Sequence, residues 1–176
     1  MAALVVMGVS GCGKSSLGEA LAQTLGWPLI EGDDFHPSAN KAKMAAGRPL
    51  VDADRIGWLD RLGVELQAHP DGAVLTCSAL KRSYRERLRA AAPGLRFAFL
   101  DLDLATAQAR VSGRNAHFFS PRLVNSQFEA LEPPTGEAGV LRLDATRPLA
   151  ELTAAAAAHA RAGLAPHPSL PATEQP

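Results

Sequence analysis

Short, wholly apolar runs alternate along the chain with longer stretches in which apolar residues recur every three or four positions. Residues 3 to 7 (ALVVM) are uninterrupted and end in glycine, which predicts a strand buried on both faces of a parallel sheet. Leu17, Leu21 and Leu25 follow at helical spacing, with Gly26 as the stop. A brief strand around Pro28 to Ile30 leads into the polar turn EGDDFHP. Ser38 is placed to cap a short helix ending near Gly47, and Asp52 or Asp54 to open a helix carrying Ile56, Leu59, Leu62 and Leu66 on one side. Ala73 to Cys77 predicts a second buried strand, followed by a very basic helix from about Lys81 to Ala92. Arg96 to Leu100 gives the next strand, and helices over about Leu104 to Val111 and Arg122 to Leu131 flank a loop containing Gly113 to Pro121. Val140 to Leu143 is the last strand, and Thr146 or Pro148 opens an alanine-rich helix.

Strands alternating with helices predict an α/β fold, a parallel sheet of about five strands covered by helices on both faces and joined by right-handed crossovers. Ligands in such sheets bind beyond the carboxyl ends of the strands, so a site is expected in the loops after residues 7, 30, 77, 100 and 143. At 176 residues the chain suits one domain, taken as 1–162, with the Pro-rich segment 163–176 expected to be a disordered tail.

Eighteen basic and eighteen acidic residues leave no net charge, which excludes a protein that coats nucleic acid or an anionic membrane. The balance is a cancellation. Residues 1–80 carry 6 basic and 9 acidic side chains, 81–122 carry 9 and 3, and 123–176 carry 3 and 6, so positive charge is concentrated in the middle. Two cysteines, Cys12 and Cys77, make neither a disulfide framework nor a zinc site of four thiolates. With no basic leader and no apolar run near 20 residues, the expected setting is cytoplasmic, with no membrane partner.

The chemistry begins at Gly8-Val9-Ser10-Gly11-Cys12-Gly13-Lys14-Ser15, which matches GxxxxGK[ST] between a predicted strand and a predicted helix. Its glycines let successive N–H groups curl toward one anion at a helix N-terminus. Lys14 offers a point charge to the β- and γ-phosphates of ATP, the Ser15 hydroxyl is placed to ligate Mg²⁺, and Ser16 completes the binding set. Cys12, beside Lys14, is either an oxidisable thiol of lowered pKa or a small residue that fits.

A switch GTPase needs NKxD, which Asn40-Lys41-Ala42-Lys43 lacks, and AVLTC does not end in the acid of a mechanical ATPase. Asp101 reads as a cap or turn residue. In GDDFHP, Asp33 is the candidate base for an attacking hydroxyl and a holder of Mg²⁺ through water, with Asp34 a solvated turn residue. His36 is placed either to hydrogen-bond a hydroxylated substrate or to cap the next helix.

GVSGCGKS, GDDFHP, GRPLVDADRIGWL, CSALKRSYRERLR, HFF and QFEALEPP, in that order over about residues 3 to 162, resemble the small P-loop gluconate kinases of the shikimate and adenylate kinase group. The resemblance implies the P-loop kinase three-layer sandwich with a mobile lid at about 112–122, a homodimer, and transfer of the ATP γ-phosphate to the C6 hydroxyl of D-gluconate. Kinases of shikimate or other small hydroxy acids, nucleoside monophosphate kinases and a non-catalytic ATP-binding regulatory module stay open as alternatives. Asp34 is acidic where the family pattern is apolar, which leaves Asp34 open beside Asp33 as base. Gluconate is a polyol with a carboxylate, and Lys81, Arg85, Arg48 and Arg55 are the candidate cations for it, whereas Arg82 and Arg89 read as a solvated face. By the same resemblance Arg110 and Arg114 reach the transferring phosphate, Arg110 also contacts ATP, His117 joins the substrate set and anchors the lid with Phe118 and Phe119, and Arg147-Pro148 lies beside adenine.

Overall fold

A computed structural model describes residues 2–113 and 121–163. Five strands, β1 (Ala3–Met7), β2 (Leu29–Glu31), β3 (Ala73–Thr76), β4 (Arg96–Asp101) and β5 (Val140–Asp144), form one sheet in the order β2-β3-β1-β4-β5, every neighbouring pair parallel. The described residues add seven helices: α1 (Lys14–Leu25), α2 (Ser38–Ala45), α3 (Asp52–Gln67), α4 (Arg82–Ala91), α5 (Leu104–Ser112), α6 (Pro121–Ala130) and α7 (Leu149–Arg161).

Because side chains alternate along a strand, the central strands feed two separate cores. Leu4, Val6, Val74, Ala98 and Leu100 pack on one face with Leu17 and Leu21 of α1 and Leu152, Ala156 and Ala160 of α7. Val5, Met7, Leu75, Phe97 and Phe99 pack on the other with Trp58, Leu59, Leu62 and Leu66 of α3 and Leu88 of α4. No described helix is long and apolar enough to cross a membrane.

Local departures from the sequence reading have simple causes. Pro37, not Ser38, stands at the start of α2, and Ser38 makes no capping bond there. α3 opens at Asp52 as expected, and the Val51 N–H before it donates to the Asp54 carboxylate at 2.9 Å, so Asp54 caps from inside the helix. Ile56 is 45% exposed while Trp58 takes the buried place, because the apolar stripe of α3 runs through 58, 59, 62 and 66. Lys81 flanks α4 rather than opening it. A 3-10 turn over Gly32–Phe35, missed in the sequence, joins β2 to α2. The proposed lid at 112–122 and the Pro-rich segment 163–176 fall largely outside the described residues, as do Arg114, His117, Phe118 and Phe119.

Candidate functional site

The glycine loop leaves the carboxyl end of β1, the central strand, between the ends of β3 and β4. Gly8, Gly11 and Gly13 take positive φ values of 144°, 84° and 101°, a region that L side chains rarely adopt. The Gly8 N–H donates to Ser78 O at 3.3 Å, and Leu17 N–H to Gly13 O at 3.1 Å starts α1 directly behind the loop. Lys14 is half-buried and folds over the loop, its Nζ 3.1 Å from Val9 O. Ser15 and Ser16 are exposed in the first turn of α1. The Ser10 N–H donates to Gln127 Oε1 at 2.6 Å, so α6 reaches the loop as well.

Cys12 is 2% exposed, and burial pushes its thiol up despite the opposing charges of Lys14 and Arg110. A buried thiol of this kind matches the reading of a small residue that fits the loop. Cys77 is pushed up to about 12 by burial.

The acid that meets Ser15 is Glu31, the last residue of β2. Its Oε2 lies 3.4 Å from Ser15 Oγ and accepts from Thr76 Oγ1 at 2.6 Å. Two hydroxyls and a carboxylate are hard oxygens of the kind that suit Mg²⁺. Glu31 belongs to no motif in the sequence, and its place at the end of a strand beside the loop is the one signal that marks it.

Gly32 makes this approach possible, since a Cβ there would sit 2.2 Å from Thr76 O. Beyond it, Asp33 and Asp34 are exposed, with Asp33 Oδ1 3.9 Å from His36 Nε2. His36 is 6% exposed and stacked on Trp58 at 4.1 Å between ring centroids. Burial is the main cause holding its pKa down at about 4, with Arg55 and Lys41 acting in the same direction and Asp33 against. Its Nδ1 is turned to Asn40 Nδ2 at 3.4 Å.

A cavity of about 540 Å³ is lined by residues of the 49–55 segment, by Leu80, Lys81 and Tyr84, and by Ser126 and Ala130 of α6. Lys81 and Arg55 are its cations. Lys81 Nζ is bonded to Asp52 at 2.7 Å and 2.9 Å, and Tyr84 donates to the same carboxylate at 2.6 Å. Those two bonds, Lys81 first, hold the Asp52 carboxyl below its usual range. Arg55 lies over the Tyr84 ring at 5.8 Å and makes no ion pair among the described residues. Arg48 is exposed and outside the lining of this cavity.

Arg85 is corrected from ligand to scaffold. Fully buried, it bonds Glu137 through Nε and Nη2 and donates to the carbonyls of Ala79, Leu80 and Glu132 at 2.9, 3.0 and 3.0 Å. Every nitrogen is engaged, so it fixes the loop after β3 that carries Ser78 and Lys81. In that loop Ala79 has a φ of 43°. Arg89 is corrected too: it bonds Glu137 at 3.0 Å and covers the Phe97 ring at 4.7 Å, while Arg82 is exposed and pairs with Glu86 as expected.

Arg110 donates to Gly11 O at 3.5 Å and Ala145 O at 3.0 Å, clamping the glycine loop to the turn after β5. Pro148 precedes α7 and Arg147 is exposed, paired with Glu151 at 2.6 Å. Asp101, read as a cap, instead pairs with Arg142 across β4 and β5; the cap of α5 is Asp103.

Residues 4–134 match the family described as "AAA domain". The gluconokinase of Gluconobacter oxydans is 46% identical over 144 residues, 80% of each chain. The thermosensitive gluconokinase of Escherichia coli is 41% identical over 153 residues, 85% of this chain and 82% of that one. A solved structure of a gluconokinase from Sinorhizobium meliloti superposes with a TM-score of 0.84 at 46% identity, covering 92% of both chains.

Proposed function

Because this chain belongs to the gluconokinase family, we propose that it transfers the γ-phosphate of ATP to the C6 hydroxyl of D-gluconate, giving 6-phospho-D-gluconate and ADP. The observation that supports the reading is the cavity of about 540 Å³ lined by the cations Arg55 and Lys81, one wall of which is Ser126 of α6, the helix whose Gln127 side chain accepts from the Ser10 N–H of the glycine loop. A panel of gluconate, shikimate, glucose and AMP with Mg-ATP, read by ADP release, tests it. Gluconate is expected to turn over best and glucose poorly, and turnover of AMP or none with gluconate overturns it.

The donor side is formed by Gly8 through Ser16. Loop N–H groups and Lys14 hold the β- and γ-phosphates where charge spreads in the transition state. Ser15 and Glu31 would hold Mg²⁺, which neutralises charge on the phosphate oxygens. Arg110, with Arg147 and Pro148 nearby in sequence to Ala145, takes the nucleotide side, and Arg114 remains assigned to the transferring phosphate.

On the acceptor side, Arg55 binds the gluconate carboxylate, since Lys81 is already neutralised by Asp52. Asp33 takes the proton of the C6 hydroxyl as it attacks. Its exposure lets it face a substrate, and the His36 neighbour distinguishes it from Asp34. Closure of 112–122, with His117 against the substrate, excludes water and so suppresses wasteful ATP hydrolysis. A kinase domain over 1–162, a Pro-rich tail over 163–176, a cytoplasmic setting and a homodimer complete the proposal.

A further inference from the structure

Asn40 is 4% exposed, and both hydrogens of its amide nitrogen are accounted for. One goes to Asp54 O at 2.8 Å. A carbonyl oxygen only accepts, so the atom facing it is the NH₂ group, which fixes which way the side-chain amide points. The second hydrogen is then aimed at His36 Nδ1, 3.4 Å away, and makes that nitrogen an acceptor. A neutral imidazole that accepts at Nδ1 carries its proton on Nε2. Nε2 is the atom that faces Asp33, at 3.9 Å from Oδ1. Burial keeps the ring neutral, with Arg55 and Lys41 adding to that effect.

The ring is also locked in orientation. It stacks on Trp58 with 16° between the planes, and Trp58, 1% exposed, is itself pinned by donating Nε1–H to Gly32 O at 2.7 Å. Turning the imidazole over would break the Asn40 contact and put Cε1–H in place of Nε2 before the Asp33 carboxylate.

Resting on the reading of Asp33 as base, we propose that Asn40 and His36 are positioning residues: Asn40 fixes the Nε2–H tautomer of His36, and that N–H anchors one carboxylate oxygen of Asp33. The other oxygen is left for the substrate hydroxyl. The two atoms stand 3.9 Å apart, and the Asp33 side chain, 74% exposed, meets little packing against the rotation that would bring its oxygen into hydrogen-bond reach. His36 thus acts through Asp33 and not on the sugar, a role that a polar residue in a buried, stacked site performs better than a direct ligand.

Asn40→Asp is the sharpest perturbation, because it replaces the donor by an acceptor of nearly the same shape. The proton of His36 is drawn to Nδ1, and Nε2 presents its lone pair to Asp33. The expected result is a kcat lower by about 100-fold, the cost of a misplaced reacting group, with the KM for ATP within about twofold of wild type. Nitrogen-15 NMR of the histidine ring is expected to report a protonated Nε2 in wild type and a protonated Nδ1 in the variant. His36→Gln, which can place an N–H near the same point, is expected to retain more turnover than His36→Ala. A wild-type ring protonated on Nδ1 overturns the proposal, whether or not the variants fold. So does a switched tautomer with kcat unchanged. Near-normal turnover of Asp33→Asn, by contrast, overturns the base reading and leaves the NMR result standing.

Discussion

Removing Glu137 tests whether Arg85 is held as tightly as its surroundings imply. The Arg85 side chain is 1% exposed and that of Glu137 is 10% exposed. In Glu137→Ala the guanidinium keeps its three carbonyl acceptors but loses its counter-charge and, among the described residues, every partner of Nε. Breaking a buried pair from one side costs about 3–5 kcal/mol. The remaining acceptors and the nearby surface favour the lower end, about 3 kcal/mol. For a chain of this length that lowers Tm by roughly 6–12 °C. Thermal unfolding followed by circular dichroism measures it. Arg85→Met combined with Glu137→Leu is expected to melt well above Glu137→Ala, because the cost lies in an uncompensated charge and not in the lost bonds alone. A single variant within about 2 °C of wild type, or a double variant no better than the single, refutes the reasoning. The effect also has a pH signature. Arg85, followed by Arg89, holds the Glu137 carboxyl below its ordinary value of 4.5. The unfolded chain therefore binds that proton first as the solution is acidified, so the stabilisation is complete above pH 4.5 and fades below it, and the gap between wild type and Glu137→Ala narrows there.

Asp33→Asn is expected to lower kcat by about 10²- to 10⁴-fold while ATP affinity stays close to wild type, measured by steady-state kinetics and nucleotide titration. Arg55→Ala removes the cavity's unpaired cation and is expected to raise the KM for gluconate about 30- to 150-fold, roughly 2–3 kcal/mol, with little change in the KM for ATP. His36 is held neutral in the fold, with a pKa of about 4 against 6.5 free, so the unfolded chain takes up more protons between those values. The stabilisation is intact above pH 6.5, is lost as the pH falls toward 4, and is level below that. His36→Gln should flatten that part of the Tm against pH curve, and an unchanged slope would sink the assignment.

The alternating strands and helices were legible because a parallel sheet buried on both faces demands short apolar runs, and all five appear within a residue or two of their expected places. The glycine loop was legible because its residues are local in sequence and their spacing is set by the anion. Arg85 was not. Its position on a basic helix carries no mark of Glu137, 52 residues away, which converts a candidate ligand into a buried tie. Glu31 and Asn40 were missed for a related reason: their partners Thr76 and Asp54 arrive only when β3 and α3 pack against the acid turn. Charges that act at a distance in sequence look alike until the fold pairs some of them off.

Gly32 bears on how mutational data for this protein are to be interpreted. It has no functional group, yet any Cβ at that position collides with Thr76 O. Relief would come by pushing β2 away from β3, carrying Glu31 and Asp33 off on either side of the defect. A saturation library scored by turnover will therefore rank position 32 alongside the proton-handling acids, although it contributes only an absence of volume. Scored by folding yield and turnover together, the same library separates the two kinds of failure, since substitutions at position 32 damage both and those at Asp33, which is exposed, damage turnover alone.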